Sequence, residues 1–157
     1  MTTSVERIAA RRSTAGIRIR KAQVVCSAVV SAVGGAYSAK SGAITEVPYS
    51  LATRFGPGEG NSPEELLAAA HAGCFIRTLA FSLHVAGYAP TELSTEATVT
   101  REPDGPGDRI SRSALTLRAR VPNLTRETFE AMAWHAANNC PISKALRTQI
   151  RLDAKLL

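Results

Sequence analysis

Three stretches of the chain alternate apolar and polar residues with a period of two. Thr95, Ala97 and Val99 oppose Glu96, Thr98 and Thr100; Leu115, Leu117, Ala119 and Val121 oppose Thr116, Arg118 and Arg120; Ile150, Leu152, Ala154 and Leu156 oppose Arg151, Asp153 and Lys155. Each reads as a strand with one face buried. The turn-forming segment 103–108 joins the first two, and antiparallel pairing through it is the simplest arrangement. The pattern between residues 62 and 87 is different. Leu66, Leu67, Phe75, Ile76, Leu79 and Phe81, interleaved with alanines, leave hardly any polar stripe, which predicts a helix buried on all sides. Ser62-Pro63-Glu64-Glu65 supplies a capping box with proline at the first helical position, so the helix starts at Pro63. Gly87 is placed to close it after Ala86.

A second helix is capped by Thr125, with Leu124 and Phe129 as its hydrophobic staple, a core stripe of Phe129, Met132, Ala133 and Ala136, and an end at Asn138-Asn139. A short third helix starts at Pro141. Toward the amino end, Val24, Val25, Val29, Val30 and Val33, then the Gly34-Gly35 turn and the short segment after it, read as a β meander. The glycine-rich segment 55–61 reads as an exposed loop. Strands, a helix, strands, helices and a last strand make an α+β domain, antiparallel sheet wrapped around a long central helix. At 157 residues the chain is read as one domain. A helix buried on every side needs more cover than one small sheet provides, so a two-fold homodimer with both long helices in one core is expected.

Charge changes this picture only locally. The net charge is +6, and Arg7, Arg11, Arg12, Arg18, Arg20 and Lys21 concentrate it in the first 21 residues. No aromatic residues stand among those arginines to stack on bases, so the segment reads as a solvated or disordered basic tail and no nucleic-acid partner is expected. His71, Arg77 and His84 within the apolar helix argue against a membrane span. Three cysteines and no secretory signal point to a reducing, cytoplasmic setting in which thiols stay free unless chemistry oxidises them.

The candidate chemistry lies with Cys74 and Cys140; Cys26 reads as structural. Cys140 directly precedes Pro141, where unsatisfied amides acidify a thiol, whereas Cys74 in an apolar helix interior has a raised pKa unless a cation reaches it. Position alone therefore nominates Cys140 as the reactive sulfur. His71 lies three residues before Cys74 and His135 five before Cys140, so a metal-binding or small-ligand-binding protein using His71, Cys74, His135 and Cys140 is the alternative. Glu64 on its own is explained by the helix dipole, and Arg54 by surface exposure.

The stretch NSPEELLAAAHAGCF from Asn61 to Phe75 and the stretch NCPISKAL from Asn139 to Leu146 resemble the first and second cysteine motifs of the OsmC/Ohr family. The resemblance extends from about Gly34 to Leu157, takes in Tyr37-Ser38, Ser41-Gly42 and Thr53-Arg54-Phe55, and is closer to the OsmC branch. It implies an intertwined homodimer and a peroxidase that reduces organic hydroperoxides and, less well, hydrogen peroxide. Cys74 would be the peroxidatic cysteine and Cys140 the resolving one, reversing the order that position suggests. Arg54 would stabilise the Cys74 thiolate and Glu64 would orient Arg54. Glu64 and Cys74 are ten residues apart on one helix, roughly 15 Å of rise, so a Glu64 near the thiolate has to come from the second subunit. The resemblance further implies a dithiol reductant, such as lipoyl groups, and no bound cofactor or metal.

Overall fold

The computed structural model describes residues 35–37, 42, 44–49 and 61–157. The basic tail, Cys26, Arg54 and the loop before Asn61 lie outside the described residues. The chain divides into two compact units, Met1–Gly60 and Asn61–Leu157.

In the first unit, β1 (Gly35–Tyr37) pairs antiparallel with β2 (Val47–Tyr49), Gly35 opposite Tyr49 and Tyr37 opposite Val47. Between the two strands, Gly42 has φ +73°, and its carbonyl accepts from the Thr45 hydroxyl at 3.2 Å, a turn stitched by its own side chain.

The second unit runs α1 (Pro63–Val85), β3 (Glu92–Asp104), β4 (Gly107–Arg120), α2 (Arg126–Asn139), α3 (Pro141–Ala145) and β5 (Gln149–Leu156). The capping box at the start of α1 is complete: the Glu65 amide donates to Ser62 Oγ at 3.1 Å and the Ser62 amide donates to Glu65 Oε2 at 2.8 Å. At the other end Gly87, φ +88°, donates to the His84 carbonyl at 3.0 Å and Tyr88 donates to the Leu83 carbonyl at 2.9 Å, the paired bonds of a Schellman closure.

β3 and β4 form a long antiparallel hairpin through Gly105-Pro106, with a register shift between Thr100 and Arg101. β5 then pairs with β4 in parallel, Ser113 opposite Ile150 and Leu117 opposite Ala154. The sheet is therefore mixed, where an antiparallel one was expected. The reason lies in the connection: α2 and α3 stand between β4 and β5, and a crossover of that length returns the chain to the same end of the sheet.

One sheet face carries the core. Ser113, Leu115, Leu117 and Ala119 of β4 point to it, flanked by Leu93 and Ala97 of β3 and Ile150 and Leu152 of β5. α1 lies against β3 and packs on α2 and α3, while α2 covers β5. The staple at the start of α2 forms as expected, Leu124 and Phe129 both buried and Thr125 accepting from the Thr128 amide at 3.3 Å.

Within a single chain α1 is covered on one side. Only the stripe His71, Phe75, Leu79 and Leu83 is buried, and on the far side Phe81 is 67% exposed. Burying Phe75, Leu79 and Leu83 contributes about 1.5–3 kcal/mol each, before the entropy of ordering them is subtracted. By length and composition α1 is apolar enough to cross a membrane, with a mean hydropathy of 1.5, a test that core helices of soluble proteins also pass.

Candidate active site

Cys74 sits halfway along α1, one position before the buried Phe75, and is half-buried. Its carbonyl accepts the next turn's amide and also the Thr78 hydroxyl at 2.9 Å. Cys140 occupies the corner between α2 and α3. It ends one helix, its amide donating to the Ala136 carbonyl at 2.9 Å, and begins the next, its carbonyl accepting from the Lys144 amide at 3.1 Å. Two helices closing on one residue enclose it, and Cys140 is 0% exposed.

The packing of α3 on α1 places Cys140 beside Cys74, close enough for its thiol to act on that of Cys74. Burial pushes the Cys74 thiol up, and the Cys140 contact pushes it the same way. Two groups act in opposition: the main chain of Ile142 and the positive charge of Arg77. The first follows from the sequence of α3. Pro141 at the first helical position has no N–H, so Ile142 carries the first free amide of the helix, and no carbonyl within that helix can satisfy it. The second follows from helical spacing, since Arg77 is three residues beyond Cys74.

Behind the thiol pair lies a buried polar relay. His71 is 0% exposed, with Nδ1 at 2.8 Å from Ser113 Oγ on β4 and Nε2 at 2.8 Å from Ser143 Oγ on α3. Loss of solvent lowers its pKa below the ordinary histidine value of 6.5 and holds the imidazole neutral.

These bonds correct the metal-binding alternative. His71, Cys74, His135 and Cys140 do not assemble into a ligand set: both nitrogens of His71 are engaged by serines, and His135 is exposed on α2. Among the described residues no three His, Cys, Asp or Glu side chains converge as a metal site. Of the three histidines, His84 and His135 are exposed and His71 is wholly enclosed.

Glu64 lies at the far end of α1 and pairs with Arg101 of β3 at 3.5 Å, while Arg101 also approaches Asp108 at 3.5 Å. Within one chain Glu64 thus serves the join between the helix start and the hairpin. The sequence reasoning passed over Arg77, Ile142, Ser113 and Ser143. Arg77 was detectable from its spacing to Cys74 and Ile142 from the proline before it; the two serines carry no local signal.

The OsmC-like protein family model matches residues 56–155, the span that contains both cysteines and the relay. The chain belongs to the OsmC-like family. It is 38% identical over 122 residues to a protein of Escherichia coli named peroxiredoxin OsmC, covering 78% of this chain and 85% of that one. Its fold is similar to that of an organic hydroperoxide resistance protein OsmC from Legionella pneumophila, with a TM-score of 0.69 and 21% identity over 87% of this chain and 98% of that one. It is similar also to the organic hydroperoxide resistance protein OhrB of Bacillus subtilis, with a TM-score of 0.65 and 23% identity over 84% and 97% of the two chains. At these identities the two solved structures speak to the α+β fold alone.

Proposed function

We propose that this OsmC-like protein is a thiol peroxidase that reduces organic hydroperoxides, and hydrogen peroxide less well. The observation that carries the reading is the thiol pair itself, a half-buried Cys74 beside an enclosed Cys140. The name of the Escherichia coli relative and its 38% identity support it. The Cys74 thiolate attacks the distal oxygen of the peroxide, the O–O bond breaks, the alcohol departs with a proton, and Cys74 becomes a sulfenic acid. Cys140 condenses with that sulfenic acid, water leaves, and the Cys74–Cys140 disulfide remains. An external dithiol, of which a lipoyl group is one kind, returns both sulfurs to thiols by exchange. No bound cofactor takes part.

The difference in exposure supports this division of labour, because a solvent-borne peroxide reaches the sulfur of Cys74 before the enclosed sulfur of Cys140. Arg54 stabilises the Cys74 thiolate in this reading, and Glu64 of the second copy in a homodimer orients it. The exposed side of α1, with Phe81 prominent, is the surface that a second copy would cover.

The test is consumption of cumene hydroperoxide by the purified protein with a dithiol, beside Cys74→Ser and Cys140→Ser, with mass determined by sedimentation. Turnover in the wild type that Cys74→Ser abolishes, and a sulfenic acid trapped in Cys140→Ser, are expected from a dimer. A wild type that leaves the peroxide and its own thiols untouched would overturn the reading.

A further inference from the structure

α3 is only five residues long, and no side chain caps its amino end at Cys140. A helix that short has no stability of its own in water, so its position, and with it the position of Cys140, is set by what it touches. Its one buried residue is Ser143. The Ser143 hydroxyl meets His71 Nε2 at 2.8 Å, and the other ring nitrogen meets Ser113 Oγ of β4 at 2.8 Å. The imidazole is therefore a strut between the sheet and α3 that passes through α1.

The strut stands about one helical turn from the reactive pair on both sides. His71 precedes Cys74 by three residues and Ser143 follows Cys140 by three. Its polar atoms are all satisfied, because a neutral imidazole presents one donor and one acceptor and each serine hydroxyl takes either role. Ordinary buried packing does not need such a chain. Apolar residues at the three positions would hold helix and sheet together without fixing α3 to better than a sliding contact, whereas two directional bonds fix it.

We infer that His71 and Ser143 are positioning residues for the resolving step, setting the effective concentration of Cys140 at Cys74. The inference rests on the disulfide assigned to these cysteines above. Without the Ser143 bond α3 frays, Cys140 leaves the neighbourhood of Cys74, and the disulfide becomes less favourable by the ratio of the two effective concentrations. In peroxide the sulfenic acid then survives long enough to meet a second hydroperoxide molecule, which oxidises it to sulfinic acid and leaves as the alcohol.

The experiment equilibrates the full chain in glutathione redox buffers and counts the Cys74–Cys140 disulfide by alkylation and mass spectrometry, for the wild type, Ser143→Ala, Ser143→Thr, Ser113→Ala and His71→Phe. Melting temperatures are measured alongside. Ser143→Ala should lower the equilibrium constant for the disulfide about tenfold, which is about 30 mV for this two-electron couple. Ser143→Thr, keeping the hydroxyl, should restore it. Ser113→Ala, which cuts the bond on the sheet side, should lower the melting temperature comparably but move the equilibrium less than threefold. An unchanged equilibrium in Ser143→Ala, or equal shifts in the two serine variants, overturns the inference. His71→Phe should follow Ser143→Ala, and if it fails to fold the serine variants decide. Glutathione supplies the oxidant, so the outcome is independent of whether the protein consumes cumene hydroperoxide, and that separate assay judges the peroxidase reading.

Discussion

Cys140 is wholly enclosed, while Cys74 beside it is only half-buried. Access sets Cys74 apart, even though burial and the Cys140 contact both raise its thiol. Iodoacetamide should therefore modify Cys74 first in the reduced protein at neutral pH, by about tenfold or more over Cys140, with peptide mapping as the readout. Equal labelling, or Cys140 labelled first, would return the reactive role to the residue that helix position alone nominates.

Arg77 is the cation among the described residues that acts on Cys74, three residues away along α1. Its charge favours the thiolate, so removing it raises the Cys74 pKa further and shrinks the reactive fraction at neutral pH. Arg77→Gln should slow alkylation of Cys74 about twofold to fivefold at low salt, less at high salt where the field is screened, and shift the pH profile of alkylation upward. A profile that stays in place would show that Arg77 is too well solvated to matter.

How much of this was legible in the sequence depends on the range of the signal. The ends of α1 were, because Ser62, Glu65 and Gly87 act on their own neighbours, and so was the start of α2 at Thr125. The strand faces of β4 and β5 followed from alternation. The parallel pairing of those strands was not, since alternation fixes which side chains share a face and is silent on direction. The all-apolar surface of α1 gave its length but not which stripe the chain's own sheet would take. At the site, the two cysteine motifs stood out, and the resemblance they carry matches the family to which the chain belongs. The relay did not stand out, because Ser113 and Ser143 lie 42 and 72 residues beyond His71 along the chain and meet it only once the hairpin and α3 close on α1. A lone histidine in an apolar helix reads as an ordinary half-buried one. Only the fold reveals that both of its nitrogens are spoken for.

Neutral, enclosed His71 makes stability depend on pH in a definite direction. Its folded pKa is lowered below 6.5 by burial, and the groups on its two ring nitrogens are serine hydroxyls, which carry no charge to compensate a proton. Above pH 6.5 the imidazole is neutral in both the folded and the unfolded chain, and its contribution is fully present. As the pH falls below 6.5 the unfolded chain takes up a proton that the folded chain resists, so stability is lost until the pH reaches the lowered folded value; the loss is at most about 1.4 kcal/mol per pH unit. Urea unfolding of the wild type and His71→Gln between about pH 7.5 and about pH 5 isolates this group, because glutamine still offers a donor group and an acceptor to the two serines and does not titrate, while the carboxylates are common to both. The wild type should lose more stability than the variant over that range. Parallel curves would mean that the folded protein accommodates a protonated His71, with the serine oxygens accepting from both ring nitrogens at little cost.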